Sequence, residues 1–213
     1  MVTGRKVSNL LALAVLGTVV QRPMHPYEMA SLLRERGKDE DMPIKWGSLY
    51  TVVRNLTKHG FLEVVDSRRE GARPERTIYR ITEAGLAELR DWTRELVATP
   101  RPEHPHFKAG LSMLAALTPD EAADALRARI AALEQAIAAQ RAALAGHADI
   151  PELFLVEDDY ELTVRAAELA WVRELLERLT NETFPGQAAW RKWHATGEVP
   201  PEYAALADRG STE

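Results

Sequence analysis

Residues 43–61 contain no Asp or Glu, yet Lys45, Ser48, Thr51, Arg54, Asn55 and Lys58 bring side-chain hydrogen-bond donors into that one stretch. Donors without carboxylates suit a polyanion, because nothing nearby neutralises the cations. Leu49, Val53 and Leu56 stand at i, i+4 and i+7, the spacing of one helical face. At 100° per residue Ser48, Thr51, Arg54, Asn55 and Lys58 fall on the opposite face. Arginine reaches guanine O6 and N7, and asparagine pairs with adenine N6 and N7, which makes Arg54 and Asn55 candidate base readers. Ser48 and Thr51 lie nearer the helix N-terminus, the end that sits deepest in a DNA groove. Lys45 and Lys58 flank the helix as phosphate contacts, which position a protein without reading sequence. The competing reading is an ordinary solvated helix face, and the missing acids weigh against it.

A second basic constellation follows. Arg68, Arg69, Arg73 and Arg76 stand among only two acids, Glu70 and Glu75, between β-branched and aromatic runs at 61–66 and 77–82. Two strands with a Gly- and Pro-punctuated tip make a β-hairpin whose charge suits a phosphate backbone or the minor groove. An ordinary solvated turn is the alternative.

Other groupings carry less. His104 and His106 lie in a Pro-rich linker with no cysteine to help them, so no metal is expected. Glu157, Asp158, Asp159 and Glu161 lack the alternating spacing and glycine of a calcium loop, and an acidic helix start explains them. Trp171, Trp190 and Trp193, with Trp92 and Phe107, are either an aromatic pocket or plain core, and helical spacing favours core. The sequence has no nucleophile elbow, phosphate loop or zinc-protease motif, so neither an enzyme nor a cofactor is expected.

The elements that must position these residues can be read from period and punctuation. Ser8 is placed to cap a first helix, apolar nearly all round, that ends near Arg22-Pro23. Pro26 opens a second helix with Met29, Ala30 and Leu33 inward and Gly37 at its end, and 38–42 reads as a polar loop. The donor-bearing helix spans 47–59, with Gly60 as its stop. Thr82 caps a helix carrying Leu86, Leu89, Trp92 and Leu96, which fades at the Pro-rich stretch 99–102. Phe107, Leu111 and Leu114 form a short stripe. Thr118-Pro119-Asp120-Glu121 is a capping box for a helix that runs about 27 residues, to Gly146. Its stripe of Leu126, Ile130, Leu133, Ile137 and Leu144 is echoed at 159–180 by Leu162, Ala166, Leu169, Val172, Leu176 and Leu179. Stripes this long bury against each other, against a second subunit, or both. On that pattern Leu126, Ile130, Leu133, Ile137, Leu162, Leu169, Val172, Leu176 and Leu179 are the candidate dimerisation residues.

Composition bounds the class. With 46% hydrophobic and 28% charged residues among 213, the chain has a globular balance. Residues 1–90 hold 15 Lys and Arg against 11 acids, whereas 91–213 hold 12 against 21, so the net charge of −5 hides a basic front (+4) and an acidic back (−9). The longest apolar run, 10–20, is too short for a bilayer, which needs about 20 residues. Arg5 and Lys6 precede it as in a signal peptide, but no small-x-small site follows. The cytoplasm is the expected compartment, with no membrane partner.

Three short helices, a basic hairpin and a further helix are the order of a winged helix-turn-helix. Gly47-Ser48-Leu49-Tyr50 followed by Arg54, Leu56 and Gly60-Phe61-Leu62 resembles the recognition-helix signature of the PadR family of bacterial transcription regulators. His25-Pro26-Tyr27-Glu28 resembles its second-helix opening, and Gly71-Ala72-Arg73-Pro74 with Tyr79-Arg80-Ile81-Thr82 and Gly85 resembles its wing and exit helix. The likeness covers about residues 8–95 and is looser beyond. Pro26 stands where the family has Gly, and Thr51 where it has Pro. The resemblance adds Tyr50 to the DNA-binding candidates. It implies a homodimer on a pseudo-palindromic operator, most often a repressor, in some members released by small aromatic or cationic compounds. The expected fold is mainly α with a small β-hairpin: a winged helix over 1–99, an antiparallel helical, coiled-coil-like dimerisation domain over 100–195, and a flexible tail over 196–213. The alternative is a winged-helix module that binds another protein without specific DNA binding.

Overall fold

A computed structural model describes residues 5–68 and 76–208, with backbone alone at 40, 67, 68, 76 and 206–208. The chain divides into two compact units, Met1–Pro102 and Glu103–Glu213.

In the first unit, α1 (Leu10–Val19) is the central element. Leu11, Ala12, Val15 and Leu16 are fully buried, and Ala14 and Val19 are nearly so, which accounts for an apolar surface on every side. It contacts α2 (Pro26–Glu35), α4 (Leu49–Lys58), α5 (Glu83–Ala98) and the second strand. Its N-terminus is capped by Asn9, whose Oδ1 accepts the Leu11 N–H at 2.9 Å, and not by Ser8 as expected; both residue types cap well, and the helix begins one residue later. At α2, Pro26 takes the first position. His25 and Glu28 form a reciprocal box, in which the Glu28 carboxylate accepts the His25 N–H at 2.9 Å. Residues expected as a loop include one helical turn, α3 (Lys38–Asp41). Gly37 at φ +62° reverses the chain, and the Lys38 ammonium meets the Asp41 carboxylate at 2.6 Å across the turn.

After a 3₁₀ turn, Trp46–Ser48, α4 buries Leu49, Val52, Val53 and Leu56. It stops at Gly60 (φ +76°), where the Phe61 N–H reaches back to the Leu56 carbonyl at 2.9 Å. Strands β1 (Leu62–Arg68) and β2 (Arg76–Ile81) pair antiparallel from Leu62↔Ile81 to Arg68↔Arg76, with an irregularity between Val64 and Asp66. Each strand begins one residue later or earlier than the sequence suggests, and β1 continues two residues further into the basic stretch. Met24 adds a bridge to Tyr79, each N–H meeting the other carbonyl at 3.0 Å. Thr82 caps α5 as expected, its hydroxyl oxygen accepting the Gly85 N–H at 3.0 Å. Trp92 of α5 lies in the core at 3% exposure. Arg5 ties the chain ahead of α1 to α5: its guanidinium lies over Trp92 and pairs with Glu88 (2.6 Å), Asp91 (3.1 Å) and Glu95 (2.5 Å).

In the second unit, α6 (His106–Ser112) precedes a long hairpin of α7 (Pro119–Ala145) and α8 (Val156–Thr180). The Thr118 capping box and the length of α7 are as the sequence reads, whereas α8 begins three residues before the expected Asp159. Arg129 pairs with Glu168, and Gln140 donates to the Asp158 carbonyl at 3.0 Å, which makes the two helices antiparallel. Leu126, Val172, Leu175, Leu179 and Trp190 form the core with Ala122. The segment expected as a tail contains α10 (Pro201–Asp208), because Tyr203 packs its ring against Trp193 of α9 (Gln187–Thr196), centroids 5.8 Å apart. No helix among the described residues is long and apolar enough to cross a membrane.

Candidate nucleic-acid interface

Burial of Leu49, Val52, Val53 and Leu56 fixes which way α4 faces, and the opposite side is open. Tyr50, Thr51, Arg54, Asn55 and Lys58 are all exposed, as is Lys45 ahead of the helix. Geometry therefore brings these donors onto one surface. Ser48 is half-buried, and its hydroxyl donates to the Lys45 carbonyl at 2.7 Å. That proton is committed within the turn, so Ser48 has only acceptor capacity left for a partner.

The electrostatics of the surface follow from where the acids go. Lys38 holds Asp41, Arg22 holds Glu28 at 3.4 Å, and Arg80 holds Glu63 at 2.6 Å across the strands. Among the described residues no ion pair engages Lys45, Arg54 or Lys58. The first turn of α4 has no acid and no side-chain cap, so its positive dipole end is also unneutralised.

The hairpin positions part of the second constellation. Arg68 and Arg76 are register partners at the described ends of β1 and β2. Arg69 and Arg73 lie outside the described residues.

Sequence reasoning passed over Arg34 and Trp46. The Arg34 guanidinium of α2 lies 4.1 Å from the centroid of the Trp46 ring, just before α4. Twelve residues separate the two, so no helical spacing links them, and only the return of the chain after α3 reveals the pair.

The candidate dimerisation residues have a different placement. Leu126, Ile137, Leu169, Val172 and Leu179 are buried, and Ile130, Leu133, Leu162 and Leu176 half-buried, within a single protomer. The α7–α8 contact covers them in part, and Ile130, Leu133, Leu162 and Leu176 keep some of their surface open within the protomer. A separate row on α8 stays open: Val156, Tyr160, Val164 and Trp171 are 55%, 69%, 45% and 46% exposed. The tryptophans divide likewise, with Trp190 in the core at 5% exposure and Trp171 set edge-on to Phe107 at 6.0 Å. Among the described residues no group of His, Cys, Asp and Glu is gathered as for a metal ion.

Residues 15–91 match the Transcriptional regulator PadR-like family. Among solved structures the chain is similar to Bacillus subtilis PadR in complex with operator DNA, at 19% identity over 80% of this chain and 99% of that one, with a TM-score of 0.67. The same Bacillus protein in complex with p-coumaric acid matches at 19% identity over 81% and 99%, TM-score 0.66. The Vibrio cholerae virulence activator AphA matches at 17% identity over 81% and 99%, TM-score 0.59. At such identities the likeness to these structures is one of fold. No curated protein matches the sequence.

Proposed function

We propose, from the match of residues 15–91 to the PadR-like family, that this protein is a homodimeric repressor that grips a pseudo-palindromic operator. In this reading α4 enters the major groove and the β-hairpin follows the phosphate backbone. The observation that carries it is the open face of Tyr50, Thr51, Arg54, Asn55 and Lys58, which no acid among the described residues neutralises. Arg54 and Asn55 read base edges, Thr51 works nearer the groove floor, and Lys45 and Lys58 hold phosphates. Arg68, Arg69, Arg73 and Arg76 supply the wing's charge. Ser48 acts through the turn it closes.

Two reading heads have to be set about one helical turn of DNA apart, roughly 34–36 Å, which requires a second copy. The outer row of α8, Val156, Tyr160, Val164 and Trp171, is an apolar surface available for that copy. At 100° per residue the four fall within an arc of about 80°, a stripe fit for a partner helix. A small aromatic or cationic effector releases the operator by favouring a dimer that fits DNA poorly, as the relative's complex with p-coumaric acid suggests. A coupling of about 1–3 kcal/mol changes affinity about 5- to 150-fold. The protein works in the cytoplasm, without cofactor.

Gel shift of the purified protein on DNA from upstream of its own gene, at two salt concentrations and against random competitor, tests the reading. Specific, salt-sensitive retention as one dimeric complex is expected. Equal retention of random and upstream DNA would overturn operator recognition, and no retention at low salt would overturn DNA binding.

A further inference from the structure

The last turn of α2 carries a cation with no acidic partner among the described residues. In the first unit Arg5 is held by Glu88, Asp91 and Glu95, Arg22 by Glu28, Arg36 by Gln21 and Arg80 by Glu63. Arg34 differs: it is exposed, no carboxylate among the described residues pairs with it, and its contact is the Trp46 ring at 4.1 Å. A guanidinium lying on an aromatic face is restrained there while its N–H groups, which lie in the guanidinium plane, remain free at the rim. The ring itself is firmly placed, since half-buried Trp46 packs against the first unit's core and opens the 3₁₀ turn that leads into α4.

The neighbours of Arg34 on its helix point the same way. Tyr27 stands seven residues before it and Ser31 three before, so all three share one side of α2, and all three are exposed. The acids Glu28 and Glu35 fall about 100° or more round the helix from Arg34. Through Trp46 this side of α2 adjoins the turn that carries Lys45, and a row of donors thus continues from α2 to the start of α4.

We propose that Arg34 is a DNA-backbone contact, a phosphate clamp that Trp46 holds in position beside the recognition helix. The proposal rests on the DNA-binding reading above and adds to it a residue on a different helix. A planar fork with its face occupied and its edge free matches two phosphate oxygens, and the immobilisation that binding requires is already met by the stack. As a backbone contact it strengthens binding to every sequence alike.

The test is titration of the full-length protein with two labelled duplexes, upstream DNA and random DNA, over a salt series, for wild type, Arg34→Ala and Arg34→Lys, with melting temperatures alongside. Arg34→Ala is expected to weaken both duplexes by the same factor, on the order of tenfold. It should also lower the slope of log K against log salt by about 0.9 per protomer, with the melting temperature kept. Arg34→Lys should keep the slope and lose part of the affinity, because the charge remains and the planar fork does not. Wild-type affinity and slope in Arg34→Ala, with salt-dependent wild-type binding, would overturn the clamp and leave the DNA-binding reading standing. An affinity loss with unchanged slope and a lowered melting temperature would also overturn it, making the stack a structural joint only. Wild-type protein that binds neither duplex would overturn both.

Discussion

Gly85, in the first turn of α5, lies so close to the end of α4 that a β-carbon on it would come within 2.1 Å of the Phe61 carbonyl oxygen and 2.9 Å of the Ile81 side chain. Thr82 draws the same junction together, its hydroxyl donating to the Gly60 carbonyl at 2.6 Å and its N–H to the Phe61 carbonyl at 3.1 Å. The hairpin's base, the C-terminus of α4 and the start of α5 thus meet at one backbone contact.

Gly85→Ala should therefore destabilise the first unit by about 2 kcal/mol or more, because the overlapping atom is backbone and has no rotamer to escape into. Thermal unfolding measures this. An unchanged melting temperature would show that α5 shifts freely on the hairpin.

Arg54→Ala and Lys58→Ala should fail differently, although both residues are exposed on α4. Loss of a base reader weakens cognate DNA by about 1–3 kcal/mol and relaxes preference at one position, whereas loss of a phosphate contact weakens all sequences alike. Binding to a set of single-base operator variants separates the two. A uniform loss for Arg54→Ala would move it to the phosphate class.

Acid sensitivity should be traceable to the Arg5 cluster. The hydrogen bond from Arg5 holds the Glu95 carboxyl below its ordinary pKa, with the Arg5 and Arg101 charges adding to it. A depressed folded-state pKa gives stability that is complete above the unfolded value, about 4.3, and is lost as pH falls through the folded one. Glu95→Gln should then lower the urea midpoint at pH 7 and converge with wild type as the pH falls through the depressed folded-state pKa. Parallel curves across that range would deny the pairing any role.

The buried α7–α8 seam and the open apolar row of α8 should respond in opposite ways. Truncating Leu126, 3% exposed beneath α8, should cost about 2–5 kcal/mol of stability through the cavity left in the hairpin. Tyr160→Ser, at a residue 69% exposed, should leave the folded protomer within about 0.5 kcal/mol and convert dimer to monomer in sedimentation. A Tyr160→Ser protein that remains dimeric would place the second copy elsewhere.

Much of this molecule was legible before any fold was built, and the reasons are local. The Thr118 box and Pro119 set the start of α7, Thr82 that of α5, and Gly60 the end of α4, because caps and left-handed glycines act within one turn of chain. The acid-free run at 43–61 and the helical spacing of Leu49, Val53 and Leu56 likewise defined the donor face, since a helix's period is a property of its own residues. What depends on chain brought from a distance was not legible. The sequence could not say whether the stripes of α7 and α8 covered each other, a second subunit or both, because periodicity marks a face as apolar without naming the surface that covers it. It gave no sign that Tyr203 would fold a helix onto α9. Nor could it set Arg34 on Trp46, a contact made only when α2 and the turn before α4 pack against the same core. Side-chain periodicity writes secondary structure and the polarity of each face into the sequence, and tertiary packing alone decides which face meets which.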